Sequence, residues 1–312
     1  MKVGIVGCGS IASSHVDAYK SQGCEIIGVT DSNADAAKSM AAGLPSAVVY
    51  DNFQDLIDKG CPEAISICSP PRFHEEAAVY ALAHGVNVLC EKPMAYDTKS
   101  AYAMRDAAEK SKALLMPAFR HRFLPAIRAL RDLVTSGTIG DVVLFNNIFC
   151  GPAFAMEGKW FTKKAIAGGG TLFDTNSHSV DLFRFIVGEV VDQKAIMHRH
   201  FATTDVEDAG ILLLKSDNNA IGSVESAFVA GAGVAFIDII GKKGRAYYDY
   251  DEPESLRYRL TKDKDWTVKP VVSSWGFDEE ITHFIAAIKG QTPLECTVND
   301  GVRAVEIICS VY

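Results

Sequence analysis

From Lys2 to about Phe119, short apolar runs alternate with stretches whose apolar positions recur at helical spacing. "KVGIVG", "EIIGVTD", "AVVY", "AISICSP", "NVLCEKP" and "ALLMPAF" read as strands. "ADAAKSMAA", "FQDLIDKG", "FHEEAAVYALAHG" and "TKSAYAMRDAAEKS" read as the helices between them. Strands that are apolar on both faces and separated by helices predict a parallel sheet covered on two sides, a doubly wound α/β domain over residues 1–120.

The texture changes after "RFLPAIRALRDLVTSGTIG", a helix closed by Gly137. "VVLFNNIFCG", "AGILLLKSDNNAIGSVESAFVAG" and "AFIDIIGKKGRAYYDYD" alternate apolar and polar positions, with hairpin turns at "SDNN" and "KKG". This predicts a second, α+β domain over residues 121–312, with a large, mostly antiparallel open sheet and helices on one side. The final "VNDGVRAVEIICSVY" reads as an amphipathic helix without a stop signal, as a trimmed C-terminus would leave. The longest apolar runs are strand-sized, and "MKVGIVGCGS" lacks the apolar core and cleavage site of a leader, so no membrane span or export is expected.

A length of 312 residues suits two domains. The net charge of -8 offers no broad basic surface for nucleic acid or anionic lipid, which leaves a small molecule as the expected partner. The eight cysteines are scattered through apolar runs with no CxxC pair, which predicts reduced, mostly buried thiols and a cytoplasmic protein. No metal is expected.

Chemistry enters at "GIVGCGSIA", where Gly7, Gly9 and Ala12 have the GxGxxG/A spacing between a strand and a helix. Gly7 permits the tight turn, Gly9 lets backbone approach a pyrophosphate, Ala12 packs the helix on the sheet, and the N–H groups of Ser10 and Ile11 favour an anion. Asp31 ends the second strand, where a carboxylate accepts both hydroxyls of an adenosine ribose and repels a 2'-phosphate. The following "SN" supplies no arginine, so NAD is expected over NADP.

A second site lies in "CEKPMA": Glu91, Lys92 and Pro93 follow a parallel strand at its carboxyl end, where ligands bind in such sheets. A third is "GGGTLFDTNSHSVDLFRF". Asp174, His178 and Asp181 are spaced i, i+4 and i+7 along one face of a helix otherwise covered by Leu172, Phe173, Val180, Leu182 and Phe183. Buried carboxylates and imidazoles are costly unless paired, so an aligned set argues for a role.

The ordered run "GIVGCGSIA … SPPRFH … EKP … RFLP … W … GGGTLFDTNSHSVDL" resembles the Gfo/Idh/MocA family of glucose-fructose oxidoreductases, inositol dehydrogenases and rhizopine catabolism proteins, over essentially the whole chain. The resemblance implies a Rossmann domain, a C-terminal α+β domain whose open sheet makes a homodimer or homotetramer, and oxidation of a ring hydroxyl, or reduction of a ketone, on a sugar or cyclitol. Position by position it marks Lys92, Asp174 and His178 as catalytic, Ser69, Pro70 and His74 as the cofactor-side loop beside Glu91, and Arg122 and Pro125 as the R-x-x-P after the domain crossover. Asn176 stands where a glycine is common, and Phe161 and Lys163 replace an Arg and an Asp after Trp160. Arg120, Arg122, Trp160, Asn176 and Asp181 are weaker substrate candidates, Asp181 as support for the other two helix residues.

A carbinol that loses hydride must also lose its hydroxyl proton. His178 is the expected proton acceptor, Lys92 the expected hydrogen-bond donor to the same oxygen, and Asp174 the orienting carboxylate; Lys92 as the base is the variant that remains open. Two other functions share the dinucleotide turn: a redox-neutral enzyme that retains NAD, and a non-catalytic dinucleotide or sugar sensor.

Overall fold

The alternation in the first part of the chain folds as β1 (Lys2–Val6), α1 (Ser10–Ser21), β2 (Glu25–Thr30), α2 (Ala34–Ala42), β3 (Val48–Val49), α3 (Phe53–Gly60), β4 (Ala64–Ile67), α4 (His74–Ala83), β5 (Asn87–Cys90), α5 (Thr98–Lys110) and β6 (Leu115–Pro117) in a computed structural model that describes residues 1–312. The strands make one parallel sheet in the order β3-β2-β1-β4-β5-β6. This is a doubly wound arrangement whose order reverses beside β1, at the carboxyl ends of β1 and β4. Helix starts are set locally: the side chains of Asn33, Asn52 and Asp97 accept first-turn N–H groups of α2, α3 and α5.

The remainder comprises α6 (Pro125–Thr135), β7 (Val142–Pro152), α7 (Lys164–Ala167), α8 (Thr171–Asp174), α9 (Asn176–Ile186), β8 (Val190–His198), β9 (Ala209–Ser216), β10 (Ile221–Ala227), β11 (Val229–Gly241), β12 (Gly244–Asp249), β13 (Ser255–Leu260), β14 (Thr267–Pro270), α10 (Phe277–Ile288) and α11 (Val298–Cys309). Its sheet runs β14-β13-β12-β11-β7-β10-β9-β8 and is antiparallel except where β7 pairs with β10. Strict in–out alternation along β9 and β10 buries Leu212, Leu214 and Val224 beneath α8 and α9. The opposite face carries Ile196, Ile211, Leu213 and Ile221, all exposed.

The chain divides into two units, Met1–Arg120 with Phe277–Val305, and His121–Gly276 with Glu306–Tyr312. Residues Phe277–Val305 were expected with the second domain and instead return to the first. The reason is apolar burial: α10 turns Ile281, Phe284 and Ile285 inward and packs on α1, with the Phe277 ring 5.8 Å from that of His15 and Ser21 Oγ donating to Asp278 at 2.7 Å. Each buried side chain of this size contributes roughly 1.5–3 kcal/mol. All eight cysteines are free thiols, but only Cys68, Cys90 and Cys296 are buried and Cys61 is exposed, so burial is less general than expected.

The turn entering α8 is built by close approach. The Glu207 carboxylate accepts the N–H of Gly170 at 3.0 Å and of Leu172 at 2.8 Å, and the Tyr312 hydroxyl donates to it at 2.5 Å. A Cβ on Gly170 would sit 1.6 Å from the Glu207 carbonyl oxygen, and one on Gly169 would sit 2.3 Å from the Tyr312 hydroxyl. The glycines therefore admit protein, not ligand. Overpacking costs about 1–3 kcal/mol and occasionally more. A clash with backbone that has no free side to retreat to places Gly170→Ala at about 3 kcal/mol or above, read from urea unfolding of the variant against wild type.

Candidate active site

The first unit supplies a dinucleotide cradle. Gly7 adopts φ +92°, and a Cβ there would lie 2.6 Å from the Ser69 amide nitrogen, so only glycine lets the loops after β1 and β4 meet. A Cβ at Gly9 would meet nothing within 4 Å, and no side chain caps the N-terminus of α1, where Ser10 and Ile11 begin the helix. Ala12 is fully buried against the sheet. The Asp31 carboxylate accepts the N–H of Cys8 at 2.6 Å and of Asn33 at 2.7 Å, one on each oxygen, which fixes its plane and leaves lone pairs for a vicinal diol. The open space at Gly9, the uncapped helix start and the oriented carboxylate fit the pyrophosphate and adenosine ribose of NAD.

At the end of β5, Glu91 is buried and pairs with His15, Oε1 to Nε2 at 2.9 Å, while its other oxygen accepts the Lys92 N–H at 3.0 Å. His15 Nδ1 lies 3.1 Å from Ser66 Oγ, which in turn donates to the Tyr19 hydroxyl at 3.1 Å. Burial alone would lower the His15 pKa, but Cys68 and Glu91 beside it raise it to about 10. Burial keeps the Cys68 thiol protonated, so the Glu91 carboxylate is the charge that matters. Burial pushes Glu91 up, and the His15 hydrogen bond and charge outweigh it to hold Glu91 below its ordinary value. This pair anchors the turn carrying Lys92, which is half-buried and followed by a cis Lys92–Pro93 bond.

His74, expected at the cofactor, is fully buried and held neutral by burial. A neutral ring has one N–H, and the shorter contact assigns it to Nε2, 2.6 Å from the Ser69 carbonyl; Nδ1 is 3.2 Å from the Met94 carbonyl. His74 thus clamps the loops after β4 and β5, with half-buried Ser69 and Pro70 presented by the first of them. Arg120 lays its guanidinium 4.9 Å over the Phe277 ring.

In the second unit the predicted helix is two consecutive segments: Asp174 ends α8, and α9 carries His178 and Asp181. Asp174 is half-buried and His178 is 8% exposed, one turn further on. Asp181 does something else. Its carboxylate receives the Arg122 guanidinium in a forked pair, Nε to Oδ2 at 2.7 Å and Nη2 to Oδ1 at 2.5 Å, with exposures of 1% for Asp181 and 4% for Arg122. The two expected substrate groups therefore neutralise one another inside the fold and tie α9 to the turn before α6. Asn176 is also corrected: it is fully buried and its amide donates to the Val224 carbonyl on β10 at 3.3 Å, so it faces the sheet, not a substrate. Trp160 is half-buried and stacks on Phe161 with ring centroids 3.6 Å apart.

Two residues that the spacing rules did not single out lie in sequence of contact from His178: His121 beside it and Tyr250 beside His121. The His121 ring lies 4.2 Å from that of His178, and His121 Nδ1 is 2.9 Å from the Tyr250 hydroxyl. His121 falls between two arginines in "RHRF", and no periodicity marks it. The only available signal was a further imidazole beside the R-x-x-P run.

Breaking a buried ion pair by removing one partner costs about 3–5 kcal/mol. Glu91→Gln is accordingly expected to lose about 3 kcal/mol or more at pH 6, measured by urea unfolding. Because the folded His15 pKa is raised, the pair's stabilisation is complete below the unfolded histidine value and fades as pH rises through about 10. The gap between variant and wild type should narrow over that window, and a constant gap would remove His15 as the cause.

Comparison with known proteins agrees with this fold. Residues 1–119 match the model of the Gfo/Idh/MocA oxidoreductase family with an NAD-binding Rossmann fold, and residues 127–247 match the Gfo/Idh/MocA C-terminal domain. D-glucoside 3-dehydrogenase of Escherichia coli is 34% identical over 194 residues, 60% of this chain and 54% of that protein, so the chain matches about half the length of that relative. Levoglucosan dehydrogenase of Pseudarthrobacter phenanthrenivorans is 25% identical over 85% of this chain and 77% of its own. A levoglucosan dehydrogenase structure in complex with NADH and levoglucosan superposes with a TM-score of 0.92 at 22% identity, covering 100% of this chain and 96% of that one, a likeness of fold. With both halves matched in order, the chain belongs to the Gfo/Idh/MocA oxidoreductase family.

Proposed function

We propose that this protein is an NAD-dependent dehydrogenase that transfers hydride between the nicotinamide cofactor and a ring hydroxyl or ketone of a sugar, sugar derivative or cyclitol. The observation that carries the reading is that one chain holds a preorganised dinucleotide cradle together with a lysine at the end of β5 and a carboxylate and an imidazole one turn apart, at the end of α8 and the start of α9. A sensor needs the first and not the rest. The named relatives, dehydrogenases of a glucoside and of levoglucosan, support the substrate class.

When bound, NAD supplies the hydride acceptor. His178 takes the hydroxyl proton, which prevents an unstabilised alkoxide from accumulating. Lys92 donates a hydrogen bond to the same oxygen and stabilises its developing charge. Asp174 orients the substrate. Trp160 offers a ring face to a sugar, and Arg120 a guanidinium to a substrate carboxylate. Glu91 acts on Lys92 through the backbone N–H that it accepts.

The protein is further proposed to be a cytoplasmic homo-oligomer, a dimer or tetramer. No helix is long and apolar enough to cross a membrane. The open sheet face leaves Ile196 75%, Ile221 53% and Leu213 46% exposed on neighbouring strands, an apolar surface of the kind that a second copy covers.

The activity is tested by thermal shift with NAD, NADH and NADPH, then a panel of levoglucosan, myo-inositol and methyl glucosides read at the nicotinamide absorbance. Stabilisation by NADH and not NADPH is expected, and Lys92→Met and His178→Asn should each reduce kcat by about a hundredfold or more. Near-wild-type rates in both variants would sink the assignment; bound NAD with no net NADH change on any substrate would favour a redox-neutral enzyme. For the oligomer, Ile196→Lys with Leu213→Lys should shift sedimentation toward the monomer while the monomer's fold, read by circular dichroism, is kept.

A further inference from the structure

The surroundings of His178 within the second unit are aromatic and specific. His121 is 5% exposed, in the short helical turn Arg120–Phe123. Its ring centroid is 4.2 Å from that of His178, with the planes inclined by 34°. The Phe149 edge meets it at 5.4 Å and 87°, and Tyr250 reaches its Nδ1 with the hydroxyl at 2.9 Å. Tyr250 is itself fixed: its ring lies 4.9 Å from Phe149 and 4.8 Å from the buried Tyr248, and its N–H donates to the Ala235 carbonyl at 3.0 Å. The His121 ring is therefore bounded by Phe149 of β7, by Tyr250 in the turn after β12, and by His178 on a third side.

We propose that His121 and Tyr250 are positioning residues for His178: Tyr250 donates its hydroxyl proton to His121 Nδ1, which holds His121 as the neutral Nε2–H tautomer, and that ring sets the plane of the His178 imidazole. This rests on the assignment of proton exchange to His178. A phenol is a stronger acid than a neutral imidazole N–H, so the O–H···N direction is the favoured one for this contact. Its consequence for chemistry follows from charge. When His178 takes the substrate proton it gains one positive charge, and His121 neither gains nor loses a proton. A second imidazolium at ring-stacking distance would oppose that gain, whereas the face of a neutral aromatic ring attracts a cation. The arrangement thus serves proton uptake by keeping His121 uncharged and in place.

The test labels the histidines with 15N in wild type, Tyr250→Phe, His121→Phe, His121→Leu and His178→Gln, and reads ring tautomers by 15N–1H correlation at neutral pH. Loss of signals in the His121 and His178 variants makes the assignments. Wild type should show His121 as Nε2–H; Tyr250→Phe should give mixed tautomers there and move the His178 signals. NADH affinity, read by fluorescence, should stay within about twofold in all variants. With a substrate from the dehydrogenase panel, Tyr250→Phe and His121→Leu should lower kcat about tenfold with little change in KM, as expected for misplacement of a reacting group, and His121→Phe should restore part of the loss because it keeps a neutral ring. His121 found as imidazolium or Nδ1–H in wild type would overturn the proposal. So would equal kcat loss in His121→Phe and His121→Leu that follows their melting temperatures. Absence of dehydrogenase activity in wild type would sink the proton-exchange reading alone, since the tautomer measurement needs no turnover.

Discussion

Glu207 takes the first N–H groups of α8 onto one buried carboxylate, and Tyr312, from the last turn of the chain, donates to the same group. Three donors converge on this carboxyl; burial pushes the Glu207 pKa up and those hydrogen bonds offset it only in part. The start of α8 must be in this place for Asp174 and His178 to be where they are, because the residues between are helical and allow little slack. The same contact explains why side chains are absent at Gly169 and Gly170: their space is already filled by Tyr312 and by the Glu207 main chain.

The first unit solves an equivalent problem with a different pair. Lys92 sits on a strand-end turn, and that turn is held from behind by Glu91 and His15 across the sheet from α1. Both units therefore hold the backbone that carries a half-buried functional residue by hydrogen bonds to a buried carboxylate. Arg122 and Asp181 extend the pattern, joining the start of the second unit to α9 through a forked ion pair. Such pairs add little net stability compared with a well-packed apolar core, yet they admit only one geometry.

How much of this could be read in advance depended on the range of the interaction. The doubly wound sheet was legible because strand and helix periodicities are local, and the cradle because Gly7, Gly9, Ala12 and Asp31 act through backbone conformation and strand ends. Lys92, Asp174 and His178 were legible as chemical types at marked places. The partners were not. Spacing along α9 correctly aligned Asp181 with His178, but which cation would meet it was a tertiary matter, and Asn176 was placed toward substrate when the β10 carbonyls lay on its side of the helix. His121, Tyr250, Glu207 and Tyr312 make contacts across long stretches of chain, and no periodic pattern encodes such pairings. The return of α10 to the first unit was missed for the same reason, since its amphipathic face does not say which sheet or helix it will cover.

The lone parallel pairing in the second sheet has a kinetic meaning. β7 can zip onto β10 only after the whole stretch 153–220 has been looped out, and that stretch contains α7, α8, α9 and the strands β8 and β9 that follow them. Closing so long a loop is entropically costly until its contents are themselves ordered. The segment bearing Asp174 and His178 is thus the contents of a clasp, closed by the pairing of the strands at its two ends.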